Sequence, residues 1–253
     1  MPYSLKGRNV LVTGGSRGLG ALICEKFAGE GANVVVNYMS NIDRAEEVAK
    51  KCEAQGVKAI CIKADCGVPE DNVRLVKETV DGLGGLDVIV ANAGWTRFAE
   101  FGNLNDLSLE EWNKCWACNV MSHLQLLQVA RPIFDKNDEG GAYIITSSVA
   151  GHSTGGSSMG YSVTKAAGLH LMKCLAATQG PKLRINAVLP GLLLTEWGLR
   201  YGEARIKALK QKSALKMETD LDDCANMFIH IAKSTSMTGQ EIEIDSGLLI
   251  GMG

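Results

Sequence analysis

From one end of the sequence to the other, short apolar runs alternate with longer segments of helical periodicity. The apolar runs are RNVLVTG (8–14), NVVVNY (33–38), KAICIKAD (58–65), LDVIVANAG (86–94), GAYIITSS (141–148), LRINAVLPG (183–191) and a short QEIEID (240–245). Between them lie LGALICEKFAGEG, DRAEEVAKKCEAQG and PEDNVRLVKETVDGLG, the last with Pro69 well placed to start a helix. Further helical patterns cover about 108–134, the segment opening YSVTKAAGLHLMKCLA, and stretches near 196–212 and 220–234. Strands that are apolar almost throughout have both faces covered, and strict β-α alternation makes them parallel. The expectation is one α/β domain over 1–253: a doubly wound parallel sheet of seven strands with helices on both faces. Connections are short, and no linker or internal repeat interrupts the pattern.

Bulk properties remove several function classes. Of 253 residues, 46% are hydrophobic and 21% charged, as in ordinary globular enzymes. A net charge of −2 offers no basic surplus for nucleic acid or anionic lipid. No apolar run reaches the ~18 residues of a membrane span, and the N-terminal MPYSLKGRNVLV does not read as a signal peptide. The expected location is cytoplasmic. Eight scattered cysteines include one C-x-x-C, Cys115 and Cys118, inside a helical pattern. Nothing completes a zinc site around them, so helix packing is the expected role and no metal is assigned.

The first run leads into Thr13-Gly-Gly-Ser-Arg-Gly-Leu-Gly20. Glycines 14, 18 and 20 thus join a strand to a helix, where a sharp turn, a bare backbone and a helix N-terminus suit a pyrophosphate. The spacing is G-x-x-x-G-x-G. Farther along, Tyr161 and Lys165 stand four residues apart at the start of an apolar helix and so share one face.

Together these motifs resemble the classical short-chain dehydrogenase/reductase family, and the likeness runs the whole chain. It includes Asp65 after the third strand, Asn92-Ala93-Gly94 after the fourth, Asn119 in the long helix, and Ser148 thirteen residues before Tyr161. INAVLPGLLLT supplies N-x-x-x-P-G at Asn186, Pro190 and Gly191, followed by Thr195, and TGQEIEIDSG resembles the family's ending. Within the family, VVVNY is most similar to 3-oxoacyl-(acyl-carrier-protein) reductases. The resemblance implies a Rossmann fold and a nicotinamide cofactor.

No carboxylate ends the second strand to repel a 2′-phosphate, and Arg17 resembles the family's NADP-preferring pattern, with Ser40 and Asn41 as neutral donors. NADP(H) is therefore the expected cofactor. The resemblance implies that Asp65 accepts from the adenine amine, that Asn92 and the adjacent backbone border the adenosine ribose, and that Thr195 holds the carboxamide. It extends the contact set to Ser16, Leu19, Asn37, Tyr38, Cys66, Ala93 and Leu193. For catalysis it implies Tyr161 as proton donor, with Lys165 stabilising the phenolate and holding the nicotinamide ribose. Ser148 would orient the carbonyl oxygen, and Asn119 would anchor a water joining Lys165 to solvent.

Substrate contacts belong in the loops after the strands. Trp95 and Trp197 are candidate pocket walls; His152 and Met159 lie in a loop that could touch substrate. Carrier-protein reductases place an arginine after the Leu-Ala of the YxxxK helix, whereas Ala177, Thr178 and Gln179 follow Leu175-Ala176 here. A free small-molecule ketone or alcohol is expected, under lid helices at about 192–212. Two other readings remain open at this point: an isomerase or cyclase using NADP(H) structurally, and a cofactor-sensing protein. Apolar residues of the long helix, Trp112, Trp116, Leu124, Leu126, Leu127 and Val129, and the tail LLIGM point to a homotetramer or homodimer.

Overall fold

The computed structural model describes residues 3–252. Met1, Pro2 and Gly253 of the expected domain lie outside the described residues. Seven strands form one sheet in the order β3-β2-β1-β4-β5-β6-β7, and every neighbouring pair is parallel. They are β1 (Asn9–Val12), β2 (Asn33–Tyr38), β3 (Ala59–Lys63), β4 (Val88–Ala91), β5 (Gly141–Thr146), β6 (Leu183–Pro190) and β7 (Glu241–Ile244). The chain starts mid-sheet, winds outward to β3, then returns beyond β1 to build the other half. Its direction reverses between β1 and β4, so a crevice opens at the carboxyl ends of these two strands.

Each central strand alternates between two cores. Val10, Val12, Val34, Val36, Val88, Val90 and Ile144 pack under α1 (Gly18–Gly29), α2 (Ile42–Glu53) and α9 (Leu221–Lys233). Leu11, Val35, Ile89, Tyr143, Ile145 and Leu189 pack under α3 (Pro69–Leu83), α5 (Ser122–Lys136) and α6 (Met159–Thr178). Two-sided burial is why these strands read as continuous apolar runs. Pro69 opens α3, and Gly84 closes it in the left-handed conformation at φ 85°.

The helix expected over 108–134 is in fact three pieces. A capping box of Ser108 and Glu111 starts α4 (Leu109–Trp116), a π turn spans Ala117–Met121, and α5 follows. The pattern near 196–212 also divides, into α7 (Glu196–Leu199) and α8 (Glu203–Lys212), around Gly202 at φ 77°. The apolar residues that suggested assembly divide likewise. Leu126 and Leu127 are buried in the chain's own core, whereas Trp116 faces outward; Leu109 and Met121, outside that set, are exposed as well. No helix among the described residues is long and apolar enough to cross a membrane.

Candidate active site

The loop after β1 is shaped by its glycines. Gly14 and Gly18 have φ of 61° and 53°, the region L side chains avoid. A Cβ on Gly20 would lie 2.2 Å from the Gly14 oxygen and 2.6 Å from the Asn92 amide nitrogen. Two asparagines secure this loop from behind. Asn92 Nδ2 donates to the Thr13 and Gly14 carbonyls at 3.0 and 3.3 Å, and its Oδ1 accepts from Thr146 at 3.2 Å. Asn37 is buried; its Oδ1 accepts from the Gly14 N–H at 3.0 Å, and its Nδ2 donates to the Ile62 and Ala64 carbonyls, both at 3.2 Å. Asn37 therefore positions the glycine loop from inside the sheet. Cys66 is buried beside it, its thiol directed to Asn37 Oδ1 and pushed up to about 12 by burial.

Around the crevice, Asp65 Oδ1 accepts from the Gly67 N–H at 2.8 Å, so one carboxylate oxygen fixes its own turn. A Cβ on Gly18 would sit 3.3 Å from Thr195, which brings the segment after β6 against the glycine loop. Thr195 precedes α7, and its hydroxyl does not cap that helix. Asn41 caps α2, its Oδ1 accepting from the Arg44 N–H at 3.1 Å. Ser16, Tyr38, Ala93 and Leu193 are half-buried along the crevice, Leu19 is buried, and Ser40 is exposed.

Tyr161 and Lys165 come together as their spacing predicts. Ser158 caps α6 by accepting from the Tyr161 N–H at 3.1 Å, and a buried cluster of Ser157, Ser158 and Thr96 holds that cap. The Lys165 amine lies 5.4 Å from the Tyr161 ring centre and donates to the Thr146 carbonyl at 2.7 Å. Ser148 Oγ accepts from the Ala150 N–H at 3.1 Å, which leaves its proton free to donate. Burial pushes the Tyr161 phenol well above its ordinary value; nearby Tyr201 adds to this and the Ser148 hydroxyl opposes it. Burial, not the lowering expected from Lys165, sets the direction. Desolvation decides, because the amine sits beside the ring and is bonded to Thr146.

Lys165 is itself buried, and burial lowers its amine to about 8, with the Cys115 and Cys118 thiols weakly opposing. Between 8 and its ordinary 10.5 the folded chain holds fewer protons than the unfolded one, so stability rises with pH across that window. Lys165→Met removes the titrating amine. The melting temperature of the ligand-free variant, relative to the parent, should fall as pH rises from about 8 to about 10.5. A difference that stays flat across the window would refute the assignment.

Asn119 sits in the π turn, a feature common at functional sites. Its Oδ1 accepts from the Trp95 N–H at 2.8 Å, and its Nδ2 donates to the Trp95 carbonyl and Thr164 Oγ1, both at 3.0 Å. Its side chain ties the loop after β4 to α6. A Cβ on the intervening Gly94 would lie 3.2 Å from Asn119 Oδ1 and 3.5 Å from Lys165 Nζ.

The candidate substrate residues divide. Trp197 packs on Tyr161 with ring centres 5.7 Å apart, and Trp95 and Met159 are half-buried nearby in sequence to the cap and the Asn119 contacts. His152 turns elsewhere. Its ring bridges Glu243 at 2.9 Å and Glu241 at 3.0 Å, because those carboxylates lie on the α6 side of β7. Phe98 and Tyr201, within the loops after β4 and β6 where substrate contacts are expected, form an edge-on pair 4.9 Å apart. The C-x-x-C thiols are buried, and burial pushes both up to about 11, which suits packing.

Residues 8–205 match the family described as short chain dehydrogenase. Versicolorin reductase 1 of Aspergillus parasiticus is 37% identical over 231 residues, 88% of this chain and 82% of that one. L-Rhamnose 1-dehydrogenase (NADP(+)) of Thermoplasma acidophilum is 30% identical over 252 residues, 98% of both. A short chain dehydrogenase of Burkholderia cenocepacia, crystallised in complex with NADP, is 32% identical, covers 97% of this chain and 99% of its own, and superposes with a TM-score of 0.89. The chain belongs to the short-chain dehydrogenase/reductase family and is an oxidoreductase.

Proposed function

We propose that this chain is an NADPH-dependent reductase converting a ketone of a small organic molecule to a secondary alcohol, or the reverse, with Tyr161 as general acid and base. One observation carries the reading: the Tyr161 phenol, the Ser148 hydroxyl and the buried Lys165 amine are neighbours, with Lys165 next to Gly94 in the segment after β4 whose Ala93 lies against Gly14. The loop suits a dinucleotide, since left-handed Gly14 and Gly18 and the close approach of Gly20 to the Gly14 oxygen hold a tight bare-backbone turn between β1 and the N-terminus of α1. Gly14, Ser16, Gly18, Leu19 and Gly20 would hold the diphosphate, and Arg17 and Ser40 the 2′-phosphate. Asp65 and the Asn92–Gly94 segment would border the adenosine, while Pro190, Gly191, Leu193 and Thr195 would hold the nicotinamide. When bound, the cofactor supplies the hydride.

The chain's own residues do the rest. Ser148 donates to the substrate oxygen and holds it at Tyr161. Tyr161, kept protonated by burial, delivers its proton to that oxygen as charge gathers there. Lys165 steadies the phenolate left behind and binds the nicotinamide ribose. Asn119 clamps the Trp95 loop against α6, which keeps the Lys165 side of the crevice closed.

Trp197, Phe98 and Tyr201 would wall the pocket, and α7 and α8 would form its lid, which suits a bulky or aromatic carbonyl. Ala177 in place of the carrier-reductase arginine favours a free substrate over a carrier-bound one. All eight cysteines are free thiols, in keeping with a cytoplasmic location. The test is a panel of aliphatic and aromatic ketones with NADPH, followed at the nicotinamide absorbance. Ketone-dependent loss of NADPH supports the reading. Tight binding without turnover on any carbonyl would replace it with a sensing role.

Trp116, Met121 and Leu109 leave an apolar face that a second copy of the chain would cover. A homotetramer or homodimer is expected, and light scattering at micromolar protein measures it. A mass near the 27.0 kDa of one chain would rule assembly out.

A further inference from the structure

Two arginines that are distant in sequence close on one carboxylate at the mouth of the crevice. Glu196 Oε2 lies 3.1 Å from Arg17 Nη1, and Glu196 Oε1 lies 2.7 Å from Arg44 Nη1. Arg17 comes from the glycine loop, Arg44 from the first turn of α2, just after the carboxyl end of β2, and Glu196 from the start of α7. Thr195, the preceding residue, rests on Gly18, so this contact bridges the glycine loop. All three side chains are well exposed, at 64%, 43% and 55%. Ion pairs so exposed contribute little to stability and exchange readily. The cluster carries two guanidinium charges and one carboxylate charge, so it keeps a net positive charge. A phosphomonoester brings nearly two negative charges and three acceptor oxygens, and planar guanidinium groups match it well.

We propose that Arg44 is a second cation for the ribose 2′-phosphate and that Glu196 is that phosphate's internal competitor, so that the chain selects NADPH over NADH by exchanging a carboxylate for a phosphomonoester. The proposal rests on the NADP(H) reading above. It follows that Glu196 neutralises part of the arginines' charge before ligand arrives, and that it leaves them when the phosphate enters. A nucleotide lacking the 2′-phosphate has nothing to offer the pair and leaves Glu196 where it is. Arg44 then determines specificity by attraction, and Glu196 by setting the threshold that a ligand must exceed.

Calorimetric titration tests this without turnover. The probes are NADPH, NADH, 2′,5′-ADP and 5′-AMP, and the proteins are the parent chain, Arg44→Ala, Arg44→Lys, Glu196→Gln and Arg17→Ala. Arg44→Ala should weaken NADPH and 2′,5′-ADP about tenfold or more, with Arg44→Lys between it and the parent, and leave NADH and 5′-AMP nearly unchanged. Glu196→Gln should tighten NADPH and 2′,5′-ADP about threefold or more with no gain for NADH. If Glu196→Gln leaves the NADPH-to-NADH ratio at the parent value, or Arg44→Ala weakens all four probes alike, the proposal is overturned while the cofactor assignment stands. If the parent chain binds none of the four probes, both readings fall.

Discussion

Tyr161→Phe is expected to bind NADPH as the parent chain does and to reduce ketones about 10²–10⁴-fold more slowly, the usual worth of a positioned general acid. The ring packs against Trp197 and lies beside the Lys165 amine, and neither contact needs the hydroxyl. Loss should therefore appear in kcat, measured where chemistry limits the rate, with nucleotide affinity held. Near-parental kcat in the Phe variant would show that another group delivers the proton. Lys165→Ala should fall further, since the amine also fixes the Thr146 carbonyl and, in this reading, the nicotinamide ribose.

The second large effect is steric. Gly20→Ala adds one methyl group where 2.2 Å separates it from the Gly14 oxygen and 2.6 Å from the Asn92 amide. No rotamer relieves a Cβ, so the loop or the Asn92 clamp must move. Overpacking of this kind costs about 1–3 kcal/mol in stability. The displaced loop should also lose its hold on the nucleotide, by roughly a hundredfold or more if its backbone contacts are lost as a set. Thermal melting and titration with 5′-AMP report the two losses separately. An Ala variant with parental melting temperature and affinity would show that the loop has slack the geometry does not suggest.

Local chemistry made much of this legible from sequence. Parallel strands buried on both faces announce themselves as unbroken apolar runs, and all seven fell where those runs are. Tyr161 and Lys165 were legible because four residues is one helical turn. Contacts between segments far apart in the chain were not legible. Glu196 meets Arg17 and Arg44 across 179 and 152 residues, and no local pattern marks such a meeting. His152 looked like a pocket residue from its distance to Ser148, but the carboxylates that hold it lie about ninety residues onward on β7. Nor does any local pattern show that the Asn37 side chain, at the end of β2, holds the Gly14 N–H and the carbonyls of Ile62 and Ala64 at the end of β3. The division at the π turn was hidden for a different reason: one extra residue in a helix hardly disturbs an apolar pattern read by eye.

That extra residue between α4 and α5 has a further consequence. A π turn amounts to a one-residue insertion that a helix has absorbed without breaking, so the side chains before it are offset by roughly 100° from where an uninterrupted α-helix would aim them. Deleting a single residue within 117–121 would restore regular i to i−4 bonding and a locally better helix. It would also swing the upstream half, Cys115 and Trp112 included, out of register with α6 and pull Asn119 off Trp95. The chain thus keeps an irregularity that a smoother helix would erase, and a one-codon deletion there would be far more damaging than most substitutions along the same helix.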